Sequence, residues 1–142
     1  MVDAARSSTR SPDPADAWRG RRRRRDHGTK REAVIRTAAR AFDERGYHNT
    51  SLDDIAAALG VTKPTIYYYV ESKEQLLFEC FQAGLEGIRE GLRRVQESPL
   101  PARQRLNEVV RHYVRAIASE FGWCLVRAEN QDLGPVLSEH IR

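Results

Sequence analysis

Residues 50–73 read TSLDDIAAALGVTKPTIYYYVESK, and the punctuation inside this stretch decides the fold. Ser51 is a natural helix N-cap, and Asp54 three residues later can return a bond to the cap's backbone, closing a capping box. Leu52, Ile55, Ala56 and Leu59 then form one apolar stripe at helical spacing. Gly60 follows as the residue able to take the left-handed conformation that ends a helix. Thr62 offers a second N-cap, and Pro64 falls in the next first turn, where a missing N–H has no intrahelical partner to lose. Two short helices joined by a tight turn result. Ala56, four residues ahead of the glycine, supplies the small side chain that two steeply crossing helices need where they approach.

Read at one hundred degrees per residue, the second helix, Lys63 to Val70, puts Ile66 and Val70 on one side, with Val61 packing in from the turn. Pro64, Thr65, Tyr67 and Tyr68 lie opposite, flanked by Lys63 and Tyr69. Three consecutive tyrosines span too wide an arc for all to be core, so at least one faces out. A face meant only for water is usually Glu and Lys. Thr and Tyr hydroxyls instead donate to phosphate oxygens and base edges, and their carbon bodies can touch thymine methyls. Such a face suits a helix-turn-helix entering the major groove of DNA. The competing reading, an amphipathic rim on a small helical core, gives way to the flanking residues. Ser72 caps the next helix, Lys73 beside it can join the helix amides in holding a phosphate, and Thr50 sits likewise at the entry of the first helix.

These residues carry a resemblance: the segment from about Lys30 to Phe81 resembles the N-terminal domain of the TetR family of bacterial transcriptional regulators. REAVIRTAARAFDERGY resembles that family's opening helix, with Val34, Ala38, Ala41 and Phe42 on one face and Gly46-Tyr47 ending it. IAAALGVTKPTIYYYVESKEQL resembles its signature through the recognition helix. The resemblance implies DNA contacts at Thr50, Thr62, Lys63, Thr65, Tyr67, Tyr68 and Lys73, mostly to phosphates, with Lys63, Thr65 and Tyr68 as the base readers. Tyr69-Val70 departs from the histidine and phenylalanine of many relatives, a change in core packing that leaves the surface intact.

Charge is unevenly placed along the 142 residues, whose formal net charge is +4. Residues 1–31 hold ten Lys and Arg against four Asp; the remainder is slightly acidic. Residues 1–28 therefore read as a disordered basic arm, too poor in apolar side chains to fold. Arg21, Arg22, Arg23, Arg24 and Arg25, with Lys30 just beyond, are candidates for the DNA backbone or a minor groove. A solvated tail without a specific role is the bland alternative, and a nuclear import signal the outlying one. The sequence has no secretory apolar core and no run of apolar residues long enough to span a bilayer. With the bacterial resemblance, this places the expected site of action in the cytoplasm, at the nucleoid.

Residues 29–73 thus form the expected helix-turn-helix domain and 74–142 a regulatory and dimerisation domain. From Glu74 onward long amphipathic patterns take over. The first carries Leu76, Leu77, Cys80, Phe81, Leu85, Ile88, Leu92 and Val95 and is broken by Ser98 to Pro101. The second carries Leu106, Val109, Val110, Tyr113, Val114 and Ile117, and a third segment holds Phe121, Trp123, Leu125 and Val126. No alternating strand pattern occurs, so the fold class is all-α: a three-helix DNA-binding head followed by part of a helical-bundle body.

The resemblance further implies a homodimer whose bundle encloses a pocket for a small apolar effector. Two heads must sit about 34 Å apart to read a palindromic double-stranded operator. A coupling of about 1–3 kcal/mol through the helix after Ser72 changes operator affinity roughly 5- to 150-fold. Phe81, Leu85, Tyr113, Ile117, Trp123 and Arg127 are the pocket candidates, with core packing the competing role for each. Arg127 could hold an effector's acid group or form a surface ion pair. The chain ends within an apparent helix, sooner than members of the resembled family do, so it reads as truncated, with Phe121, Trp123 and Leu125 expected to lack their covering.

Other chemistry is missing from the sequence. Cys80 and Cys124 have no metal-type spacing and read as buried reduced thiols. Four scattered histidines form no ligand set, and no nucleophile, phosphate-loop or dinucleotide motif occurs. No catalytic residue, metal or cofactor is expected. The leading expectation is a transcriptional regulator, a repressor released from its operator by the effector. The alternative is a truncated DNA-binding protein without effector control or stable dimerisation.

Overall fold

The computed structural model describes residues 26–127. Among these, six helices and no strand are found: α1 (Asp26–Arg45), α2 (Leu52–Leu59), α3 (Lys63–Tyr67), α4 (Lys73–Glu97), α5 (Ala102–Ile117) and α6 (Gly122–Arg127). The all-α reading is correct. Helix α1 begins at Asp26, so the arm read as 1–28 gives up its last residues to a helix. Arg21 to Arg25 lie outside the described residues.

Local chemistry sets each boundary of the head. Gly46, at φ 82°, ends α1. Ser51 Oγ accepts from the Asp54 N–H at 3.1 Å while the Asp54 carboxylate accepts from the Ser51 N–H at 2.8 Å, the capping box anticipated for α2. Those bonds hold the Asp54 carboxyl below its usual range. Gly60, at φ 69°, closes α2 through bonds from its N–H to Ala56 and Ala57 carbonyls. A side chain with a Cβ would be strained in that left-handed conformation.

Helix α3 departs from expectation twice. It ends at Tyr67 instead of running to Val70, and Thr62 makes no side-chain cap; its hydroxyl pairs with that of Thr65 at 3.0 Å. Pro64 does occupy the first turn. Ser72 caps α4, accepting from the Gln75 N–H at 3.1 Å, and α4 then runs 25 residues, about 37 Å.

One core joins head and body. Val34, Ala38 and Phe42 of α1 meet Ile55, Ala56 and Leu59 of α2, Ile66 of α3 and Val70, all buried. Leu76, Leu77 and Cys80 of α4 and Cys124 of α6 belong to the same cluster, with Phe121 and Trp123 packed against it. The division drawn at 73/74 is therefore not a break in packing: the body's α4 and α6 complete the floor of the head. Outside this core, Arg36 and Arg40 of α1 both donate to the Glu120 carboxylate, at 2.8 and 3.0 Å, tying α1 to the α5–α6 turn.

The open apolar surface of the body lies on α5. That helix has no buried residue, and its apolar stripe, with Leu106, Val110, Tyr113 and Val114 all exposed, lies open. Phe121, Trp123 and Leu125, expected to be uncovered, are instead partly buried. The helix that carries them is drawn into the core, and the open apolar surface belongs to α5. Close helix approaches make the remaining contacts: a Cβ on Gly91 would come within 2.9 Å of the His112 ring, and one on Gly84 within 2.9 Å of Leu125.

Candidate nucleic-acid interface

The turn after α1, the start of α2, α3 and the start of α4 surround a cleft of about 450 Å³. Thr50, Lys63, Tyr67 and Lys73 line it together, so four of the residues expected at DNA share one concave surface. His48, Asn49, Glu71 and Glu74 line it as well. Sequence reading missed these, because loop and helix-cap residues show no periodicity.

The exposed side of α3 matches expectation. Tyr67 is 49% and Tyr68 72% exposed, while Ile66 between the helix and the core is fully buried. Tyr68 is held as well as exposed: its ring meets Tyr69 edge-on at 5.1 Å and His27 of α1 at 5.5 Å. Two aromatic neighbours limit its rotamers, which suits a side chain that must meet a partner surface with little ordering cost.

Two lysines mark the cleft, and their settings differ. The Lys73 ammonium stands 4.2 Å above the centre of the Tyr47 ring, a cation–π contact that orients it without neutralising it. The Lys63 ammonium donates to the Asp53 carboxylate at 2.8 Å, and that bond pushes the lysine above its ordinary range.

Thr50 is the one residue of the set whose side chain points the other way. It is 1% exposed, and its hydroxyl donates toward the carbonyls of Ala41 and Gly46 at 3.1 and 2.9 Å. The donor expected at a phosphate is thus committed to the end of α1, because a buried hydroxyl without a partner is costly. Thr50→Val should remove the hydroxyl bonds to both carbonyls and lower stability by about 1–3 kcal/mol. Chemical denaturation checks this, and an unchanged midpoint would return Thr50 to the list of surface donors.

One of the effector candidates, Tyr113, borders a groove between two helices of the body. The groove, of about 290 Å³ between α4 and α5, is lined by Ile88, Leu92, Val109, Val110, His112 and Tyr113, and of the six candidates only Tyr113 lines it. Trp123 packs 6.1 Å from the Phe42 ring in the core, Phe81 also packs against the core, Leu85 and Ile117 are partly buried, and Arg127 is exposed. Cys80 and Cys124, distant in sequence, come together in the core, and burial raises the Cys80 thiol well above its usual range. Both read as structural thiols. No cluster of metal-ligating residues occurs among the described residues, and no described helix is long and apolar enough to cross a membrane.

A three-helix head with an exposed aromatic face after its third helix, continued by a long helix into an all-helical body, has the architecture of a helix-turn-helix protein. Comparison with known proteins makes this specific. The profile of "Bacterial regulatory proteins, tetR family" matches residues 34–80. The HTH-type transcriptional activator FasR of Mycolicibacterium smegmatis is 32% identical over 113 residues, 78% of this chain and 51% of FasR. The HTH-type transcriptional repressor KstR2 of Rhodococcus jostii is 31% identical over 107 residues, 75% of this chain and 50% of KstR2. Among solved structures, AibR in complex with isovaleryl coenzyme A and operator DNA superposes with a TM-score of 0.67 at 32% identity, covering 78% of this chain and 61% of AibR. The chain belongs to the TetR family of transcriptional regulators. It spans about half the length of the curated relatives it matches.

Proposed function

We propose that this chain binds a palindromic double-stranded DNA operator as part of a homodimer and represses transcription until a small apolar effector releases it. The single observation that carries the DNA reading is the exposed Tyr67–Tyr68 face of α3, set beside a cleft holding Lys63 and Lys73. In this reading Lys63, Thr65, Tyr67 and Tyr68 enter the major groove while Lys73 and the α4 amides meet the backbone. Thr62 supports Thr65 through their hydroxyl pair, and Lys30 and Arg21 to Arg25 add charge along the DNA. AibR was crystallised with both an acyl-coenzyme A and operator DNA, which supports an effector for this chain too. Kinship with bacterial transcriptional regulators supports a site of action in the cytoplasm, at the nucleoid. The relatives include both an activator and a repressor, and repression is the outcome we adopt. The open α5 stripe favours one second reading, a DNA-binding chain without effector control or stable dimerisation.

A titration of the chain against the DNA flanking its own gene and against random duplex, at two salt concentrations and with oligomeric state followed, tests the reading. Selective, dimer-stoichiometric binding supports it; weak, unselective binding by a monomer supports the second. Lys73→Ala should weaken binding to every duplex and lower the slope of log affinity against log salt by about one. An unchanged slope would remove Lys73 from the phosphate contacts.

A further inference from the structure

The two cleft lysines are one residue type in two electrostatic roles, and the difference lies in Asp53. Asp53 stands in the first turn of α2, ten residues before Lys63, with its side chain 65% exposed and its carboxylate 2.8 Å from the Lys63 ammonium. The adjacent Asp54 is otherwise engaged: it closes the Ser51 capping box and lies 3.6 Å from Arg45. Asp53 is therefore the acid that α2 presents to the recognition helix.

We infer that Asp53 is a specificity-determining positioning residue, which holds the Lys63 ammonium as a directed, net-neutral donor for a base edge and keeps it from acting as a free cation for any phosphate. The inference rests on the DNA-binding reading of this face. A phosphate that approaches Lys63 meets the carboxylate at nearly the same distance, so attraction and repulsion largely cancel and little is gained from counterion release. A base-edge acceptor such as guanine O6 or N7 carries no net charge and meets the ammonium protons left after the Asp53 bond. The pair thus discourages binding that depends on charge alone while retaining a contact that depends on sequence. An exposed pair of this kind adds little to folding, so its effect belongs to recognition.

The test compares the wild-type chain, Asp53→Asn, and Asp53→Asn combined with Lys63→Met. Each is titrated over a salt series against a random-sequence duplex and against a duplex that the wild type selects from a random pool. Asp53→Asn frees one cation. It should tighten random-duplex binding roughly 5- to 10-fold at 0.1 M salt, steepen the salt slope by about one, and shrink the ratio between selected and random affinity. The double variant should return to the wild-type slope on random duplex while losing roughly 5- to 100-fold on the selected one. Two results overturn the inference while leaving the DNA-binding reading intact: an unchanged slope for Asp53→Asn, or a double variant whose slope falls by one below wild type. If the pair only braces α2 against α3, both variants lose affinity equally on the two duplexes and melt earlier, which also overturns it. A wild type that selects no sequence overturns the reading beneath it together with the inference.

Discussion

Phe42→Ala should lower the stability of the chain by about 3–5 kcal/mol, the range for removing a fully buried aromatic ring. Phe42 has no exposed surface and sits where α1 faces both the turn after it and the body. Its ring meets Tyr47 edge-on at 5.3 Å and lies 6.1 Å from Trp123 of α6. Truncation removes the apolar contact and leaves a cavity between rings anchored on different helices, which cannot both move in to fill it. Small domains are stable by only about 5–15 kcal/mol, so the variant should melt more than about 12 °C earlier and be partly unfolded at physiological temperature. Tyr47 also lies under Lys73, so the loss should reach the cleft that Lys63 and Lys73 line. Thermal unfolding followed by circular dichroism checks the figure. A drop of less than about 1 kcal/mol would mean that the head does not pack on α6 as described.

The second large effect concerns the turn between α5 and α6. A Cβ built on Gly122 falls 1.8 Å from the Ile117 carbonyl oxygen and 2.6 Å from its carbon. Both are backbone atoms, so no rotamer change relieves the clash and the turn itself must open. Gly122→Ala should cost about 3 kcal/mol or more, at or above the upper end of ordinary overpacking. The damage should not stay local. Gly122 leads directly into Trp123 and Cys124, which pack in the head, and follows Glu120, which accepts from Arg36 and Arg40. Gly87→Ala is the matched control. Gly87 lies inside α4, nothing stands within 4 Å of its would-be Cβ, and the substitution should stabilise by about 0.5–1 kcal/mol through helix propensity. Equal melting temperatures for Gly122→Ala and wild type would refute the close approach.

The two effects have a common source. Where the helix-turn-helix head needs a floor, α4 and α6 supply it, and the body is held to α1 by Glu120 and its two arginines. Anything that shifts α6 therefore acts on the element that positions α2 and α3.

Features whose causes lie within one turn of helix were legible before any tertiary contact was known. The capping box at Ser51, the left-handed Gly60, the proline in the first turn of α3, the Ser72 cap and the burial of Ile66 beside exposed tyrosines all follow from residues three or four positions apart. The structure shows each of them. The family resemblance rested on the same local pattern. What lay beyond the sequence depends on pairs far apart in the chain. That Thr50 turns inward is decided by the carbonyls of Ala41 and Gly46 within reach of its hydroxyl, and that Lys63 pairs with Asp53 is decided by how α2 crosses α3. Apolar spacing also shows that a helix has a buried face without naming its partner. For that reason α6 was expected open and packs in the core, while α5 leaves Leu106, Val110, Tyr113 and Val114 exposed. Local hydrogen bonding is written residue by residue. The partner of an apolar face is chosen only when all the helices compete for the same core.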